Sequence, residues 1–240
     1  MVKLDQHFVI DKNILERITK LAKITKNDIV LEIGAGTGNL TKFLLKEAGK
    51  VYAIELDKTL LPELNKIKNT KLKIISGNAL NIKFPEFDKI VANVPYSISE
   101  PLIQKLIYNN FKLSVLLLPE KFVKKIISRN TKLSFISNIF FEVHLDIEVP
   151  SECFSPKPRI LSRIILLKPK KIEEPIFADF LKQKNKKVKN ALREAIIREK
   201  GITKKEAKKL LKNLQIDKKV ASLNLRELKR IQESVRNLNV

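Results

Sequence analysis

Ile29-Val-Leu-Glu-Ile-Gly-Ala-Gly-Thr-Gly38 is an apolar, β-branched run that stops on three glycines spaced two apart. Such a run is a buried strand, and the glycines allow a tight turn and a close backbone approach to a ligand before a helix begins. Outward from it the punctuation recurs. Strands are predicted at Val51–Glu55, Leu72–Ser76, Lys89–Asn93 and Ser114–Leu118, with helices near Leu40–Glu47, Leu60–Lys68 and Pro101–Asn109. That alternation describes an α/β chain with a parallel sheet covered by helices on both faces. Ahead of it, Asp11 is expected to cap a helix running to about Lys23, with Ile14, Leu15, Ile18, Leu21 and Ala22 on one face. Ser99 is the expected N-cap of the helix after the fourth strand. Past Pro119, helices around Lys121–Ser128 and Leu133–Phe140 lead to Val143–Val149 and Ile160–Leu167, an antiparallel pair at the sheet edge.

The segment Lys168–Pro175 holds two prolines and mixed charge and reads as a linker. Helices follow at Ile176–Lys182, Val188–Arg198, from a capping box at Thr203–Glu206 to Leu214, and at Leu225–Val235. Their apolar stripes (Leu192, Ala195, Ile196; Ala207, Leu210, Leu211; Leu225, Leu228, Ile231) should pack inward as a small bundle. Two domains are expected, 1–170 and 171–240.

The 240 residues carry 48 basic and 26 acidic side chains, a formal net charge of +22 that suits a polyanion such as nucleic acid. A Lys-rich proteome would raise the charge everywhere, yet 22 basic and 9 acidic residues fall between Lys168 and Val240, so over half the surplus lies in the tail. Some of those lysines are a solvated helix face and nothing more. Cys153 is the sole cysteine, which excludes a disulfide framework or a cysteine-built metal site and points to a reducing, cytoplasmic interior with no metal. Met1–Phe8 lacks a signal-peptide core, and no apolar run approaches the roughly 20 residues that span a bilayer. With no Trp and 3 Tyr, ring stacking must rest on few residues, Tyr96 foremost.

Gly-x-Gly-x-Gly serves a dinucleotide, a flavin or a sulfonium cofactor, and its spacing leans away from pyrophosphate. Glu55, ending the second strand, sits where an acid accepts from two ribose hydroxyls. Asn78, in Ser76-Gly-Asn-Ala-Leu80, can bond an adenine edge or simply close a turn. Asn93-Val94-Pro95-Tyr96 closes the fourth strand. An exocyclic amine is a poor nucleophile because its lone pair is delocalised into the ring. An Asn oxygen and a backbone carbonyl that accept both amino hydrogens favour the pyramidal nitrogen that attacks, while an adjacent ring stacks on the base.

Six ordered motifs carry a resemblance: Gln6–Asp11, Glu32–Thr41, Ile54–Asp57, Gly77–Leu80, Asn93–Ser99 and Phe154–Pro158. Over nearly its whole length the chain is similar to the ribosomal RNA adenine N6,N6-dimethyltransferases of the KsgA type. The resemblance implies a seven-stranded Rossmann-like class I methyltransferase core and a small C-terminal all-α domain. It implies S-adenosyl-L-methionine as donor, leaving S-adenosyl-L-homocysteine. As substrate it implies two adjacent adenosines in the 3′-terminal loop of 16S rRNA, met by a monomer on the pre-30S particle. Carried over, Asn93, Val94, Pro95 and Tyr96 form the amine site, and Phe154 closes over the far face of the base. Gln6, His7, Phe8, Glu32, Gly34, Gly36, Gly38, Glu55, Leu56, Asn78, Ala79 and Asn93 hold the cofactor. Three positions depart from the pattern. His7 stands where Asn is frequent and is given no catalytic duty, Asn78 replaces the usual Asp and offers a neutral acceptor, and Ser128–Ser134 is shorter than the family's loop beside the substrate entrance. An adenine in DNA, or one in 23S rRNA as for the related Erm enzymes, would use the same motifs, and a role in subunit assembly is compatible with either.

Overall fold

The computed structural model describes residues 6–128, 130–212 and 214–237. Met1–Asp5, part of the stretch read as lacking a signal core, and Arg129, inside the short Ser128–Ser134 loop, lie outside them. The chain forms two compact units, Met1–Ile127 with Phe141–Pro169, and Ser128–Phe140 with Lys170–Val240. The sequence reading places one boundary at 170, whereas the chain passes into the second unit at Ser128, returns at Phe141 and leaves again after Pro169. No helix of the described residues is long and apolar enough to cross a membrane.

In the first unit β1 (Phe8–Val9) precedes α1 (Lys12–Leu21), whose N-cap Asp11 accepts from the Asn13 and Ile14 amides. Then follow β2 (Ile29–Ile33), α2 (Asn39–Glu47), β3 (Lys50–Glu55), the single turn α3 (Leu61–Leu64), β4 (Leu72–Ser76), β5 (Lys89–Asn93), α4 (Ser99–Leu106), β6 (Leu113–Pro119) and α5 (Glu120–Ile127). After α6 (Lys132–Phe140) come β7 (Phe141–Val149), β8 (Phe154–Ser155) and β9 (Ser162–Pro169). The seven-stranded sheet runs β4-β3-β2-β5-β6-β9-β7, with β9 alone running opposite to the other six strands. Strand order reverses between β2 and β5, and in such sheets ligands bind beyond the carboxyl ends at that switch point. The central strands are buried on both faces, which is why they read as unbroken apolar runs. One face packs Val30, Val91, Val115 and Leu117 against Ile14, Leu15 and Ile18 of α1 and Leu40 and Leu44 of α2.

In this unit the structure departs from expectation at several points. Ser99 is the first residue of α4 rather than its cap; Ile98 holds the cap position, and Ser99 Oγ donates to the Tyr96 carbonyl at 3.0 Å. The helix expected over Leu60–Lys68 is one turn. The two-residue strands β1 and β8, unread in the sequence, pair antiparallel through Phe8↔Ser155 and Val9↔Phe154.

In the second unit α6 joins α7 (Pro175–Lys182), α8 (Val188–Lys200), α9 (Lys204–Leu210) and α10 (Leu225–Arg236). Phe177, Phe180, Leu192, Ala195, Ile196, Leu228 and Ile231 are buried. Leu210, expected inside, is exposed. Thr203 and Glu206 form the predicted capping box, and Asn224 with Glu227 forms a second. Lys204, Lys205, Lys208 and Lys209 on α9 and Arg226, Lys229 and Arg230 on α10 are exposed.

Candidate active site

The strand mouths at the switch point enclose a cleft of about 830 Å³, counting its open side. β2 ends by turning its chain away from the sheet: the amides of Gly34 and Ala35 both donate to the Ile54 carbonyl, at 2.9 and 3.1 Å. Gly36 has φ +57°, and a Cβ there would lie 2.6 Å from the Phe8 ring, so only glycine lets loop and ring meet. The loop is held by β3. Glu55 Oε2 accepts from the Gly36 amide and Oε1 from the Asp57 amide, each at 2.7 Å. Gln6 Nε2 donates to Asp57 Oδ2 at 2.9 Å, and the bond from the Thr59 hydroxyl, followed by this one and the Thr59 amide, keeps the Asp57 carboxyl below its ordinary range. In the loop after β4, Asn78 Oδ1 accepts from the Leu80 amide at 2.8 Å, the turn-closing bond that the sequence allowed.

On the other side, β5 ends in Asn93, whose Nδ2 donates to the His7 carbonyl at 2.7 Å. That bond fixes the amide and leaves Oδ1 as its acceptor. Val94 continues the sheet through its amide to the Leu117 carbonyl at 3.1 Å. Pro95 packs on Gly34, where an added Cβ would approach its ring to 3.1 Å. Tyr96 opens a 3-10 turn to Ile98, and its hydroxyl meets Ser162 Oγ at 2.5 Å on β9. The His7 ring lies 5.4 Å from the Tyr96 ring and its Nδ1 is 2.8 Å from the Pro156 carbonyl, so the side chain packs beside the tyrosine and is tied to the segment after β8.

Of the residues singled out in the sequence, Gln6, His7, Phe8, Gly34, Gly36, Glu55, Leu56, Asn78, Ala79, Asn93, Val94, Pro95 and Tyr96 line this cleft. Three do not. Phe154 is 1% exposed and belongs to the core against α1, because pairing with Val9 fixes which face of β8 it occupies. It gives no second plane for a base. Gly38 is the N-cap of α2 and faces Ile67, whose Cδ1 would lie 2.4 Å from a Cβ. Glu32 lines a smaller neighbouring cavity with Thr37, Asn39 and Asn93. Residues that the sequence reading gave no role also contribute: Ile33, Ile54, Gly77, Ser97 and Ile98, each inside a quoted motif, on the wall, and Ser162, outside all of them, behind Tyr96. Apolar or small residues within a motif carry no signal of their own, and Ser162 is brought to Tyr96 by the antiparallel pairing of β9.

Glu32, 1% exposed, is pushed up to about 8 by burial, against the bond from Thr41 Oγ1 and with help from the Glu55 carboxylate. Its folded pKa lies above the unfolded value of 4.5, so the native state binds the extra proton and stability falls as pH rises between these values. Glu32→Gln should flatten that decline, by up to about 1.4 kcal/mol per pH unit, and stand above the wild type at pH 8. Denaturant melts from pH 5 to 8 check this, and parallel curves would show an ordinary acid.

The lining bears on which ligand fits. In a chain of net charge +22, no lysine or arginine among the described residues lines the cleft, and Glu55 is the one acidic residue among them that does. A pyrophosphate would find no cation there, whereas a ribose diol and a positively charged sulfur are matched by a carboxylate and apolar walls. The donor set fits S-adenosylmethionine. Sheet order, glycine loop and the Asn-Val-Pro-Tyr turn together define a Rossmann-like methyltransferase. The family model for ribosomal RNA adenine dimethylase matches residues 2–233, and the chain belongs to that family: it is an rRNA adenine dimethyltransferase of the S-adenosylmethionine-dependent class. Among curated relatives, "Probable ribosomal RNA small subunit methyltransferase A" of Methanococcoides burtonii is 40% identical over 205 residues, covering 78% of this chain and 76% of its own. The protein of the same name from Pyrococcus furiosus is 35% identical, covering 96% and 90%. Among solved structures, a dimethyladenosine transferase from Plasmodium falciparum superposes with TM-score 0.70 at 27% identity, over 98% of this chain and 99% of that one. The 23S rRNA methyltransferase ErmE shares the fold, with TM-score 0.64 at 19% identity over 95% and 99%.

Proposed function

We propose that this enzyme dimethylates N6 of two adjacent adenosines in the 3′-terminal loop of small-subunit (16S) rRNA, acting as a monomer on the assembling subunit. The observation that carries the reading is the Asn93 amide, locked by the His7 carbonyl at 2.7 Å with its oxygen left to accept, beside the Tyr96 ring in a cleft that no described lysine or arginine lines. The relatives named for the small subunit support the choice of rRNA.

A flipped adenosine is inserted beside Tyr96, at an unstacking cost of a few kcal/mol that is least in a loop. Asn93 Oδ1 and the Val94 carbonyl accept the two amino hydrogens and turn the nitrogen lone pair toward the donor. S-adenosylmethionine, when bound, supplies the electrophilic methyl. Glu55 accepts from the ribose hydroxyls with the lone pairs that Gly36 and Asp57 leave, and Leu56, Ala79 and Ile98 give apolar walls. No general base is required, because the nitrogen becomes acidic only once it has formed its new bond, and its proton leaves to solvent. Rate comes from alignment. For the second transfer one of the two hydrogen bonds to the amine gives way to the methyl already in place.

Mass analysis of digested rRNA after incubation with labelled donor tests this. Two dimethyladenosines near the 3′ end of the rRNA in small-subunit particles are expected, with 23S rRNA and duplex DNA unmodified. Label in either of those, or none in the small subunit, overturns the assignment.

The exposed lysines of α9 serve the phosphate backbone in this reading. Changing Lys204, Lys205, Lys208 and Lys209 to Gln should weaken RNA binding and reduce the slope of log K against log salt by about 0.7 for each phosphate no longer neutralised. An unchanged slope in a salt titration would assign those residues to solvation alone.

A further inference from the structure

The loop after β4 places Asn78 and Ala79 on the cleft wall. Within it the bonds are local, the Asn78 carbonyl accepting from the Asn81 and Ile82 amides. Its own carbonyls turn the other way. Those of Ala79 and Leu80 lie 2.7 and 3.2 Å from Lys105 Nζ, and the Ile82 carbonyl accepts from the same nitrogen. The Phe84 ring centroid is 4.1 Å from it. An ammonium has three donors and no acceptor, so three carbonyls and an aromatic face use all of it. Among so many lysines turned to solvent, this one is committed inward.

Lys105 stands in the last turn of α4. The first turn of that helix is bonded to the acceptor side, where Ser99 Oγ donates to the Tyr96 carbonyl. One short helix therefore touches both halves of the site, the base-stacking turn at its start and the Asn78 loop at its end.

We propose that Lys105 is a positioning residue for the donor: by gathering the Ala79, Leu80 and Ile82 carbonyls it holds Asn78 and Ala79 as a fixed wall for the adenosine of S-adenosylmethionine, in register with Tyr96. This rests on the donor reading above. The rival is a lysine that serves RNA phosphates by charge alone, and Lys105→Arg separates the two. A guanidinium keeps the charge but is planar, and cannot aim three N–H groups at carbonyls that converge on one point.

The test compares wild type, Lys105→Met and Lys105→Arg, with donor KM and kcat on small-subunit particles, S-adenosylhomocysteine affinity by calorimetry, and RNA affinity against salt. Both variants should raise donor KM and weaken S-adenosylhomocysteine by about 10-fold, the scale of a charge-assisted hydrogen bond, with kcat at saturating donor within about 2-fold and RNA binding unchanged. Unchanged donor affinity in Lys105→Met overturns the proposal, as does a loss confined to kcat, or a loss of RNA affinity that Lys105→Arg restores. If Lys105→Met does not fold, Phe84→Leu, which removes only the aromatic face, should shift donor KM the same way by about 3-fold; no shift there counts against the proposal. A wild type that binds no S-adenosylhomocysteine would remove the donor reading and this inference together, while a wild type and variant that bind it equally remove the inference alone.

Discussion

Asn93→Ala is expected to reduce methyl transfer by about 10²–10³-fold or more, the scale seen when one hydrogen-bonding group aimed at a reacting centre is deleted. The loss has two sources. The amine would lose the oxygen that draws its hydrogens out of the ring plane, and the His7 carbonyl would lose the Nδ2 donor at 2.7 Å that fixes the N-terminal segment over the cleft. The first acts on kcat. The second loosens the neighbouring wall, so donor affinity should fall as well, but far less. Single-turnover rates at saturating donor, beside calorimetry with S-adenosylhomocysteine, separate these terms. A variant with full transfer rate would show that the amide does not touch the nucleophile.

Gly36→Ala should lose about 10²-fold in donor affinity while the protein stays folded. The methyl group meets Phe8 Cε1 at 2.6 Å, and the backbone sits at φ +57°. The left-handed conformation costs a non-glycine residue roughly 1–2 kcal/mol. The ring must also move, and Phe8 is tied by its pairing with Ser155. Gly201→Ala is the matched control, since it has φ +64° and nothing within 4 Å of the added carbon. It should show the backbone penalty in a thermal melt and bind donor normally. Tight donor binding by Gly36→Ala would mean that the loop does not form the cofactor wall.

The fold was legible where a long local pattern determines it. β2, β4 and β5 have the bounds expected from apolar, β-branched runs between turn residues; β2 and β5 are buried on both faces, while β4 lies at the sheet edge and is only partly buried. Asp11 and Thr203 announce their helices through side chains that satisfy free amides. What failed to show was set by distant pairing. β1 and β8 are two residues each, too short for any periodicity, and their register decides that Phe154 enters the core. The grouping of α6 with the C-terminal helices is likewise a tertiary fact: the Phe135 ring lies 6.1 Å from that of Phe177, some forty residues on. At the site, the residue types with unusual chemistry were readable. Their partners were not, because strand β9 brings Ser162 to Tyr96 and the segment before β1 brings the His7 carbonyl to Asn93, both across long sequence separations.

Those partners change what happens when a base arrives. The bond from the Tyr96 hydroxyl to Ser162 anchors the ring at its far end to the antiparallel strand. A phenol held at both ends has little rotamer freedom left to surrender on stacking, where ordering a loose side chain at an interface costs about 0.5–1.5 kcal/mol. The entropy is spent during folding, so a single extruded nucleotide, with little surface to offer, meets a platform that is already rigid.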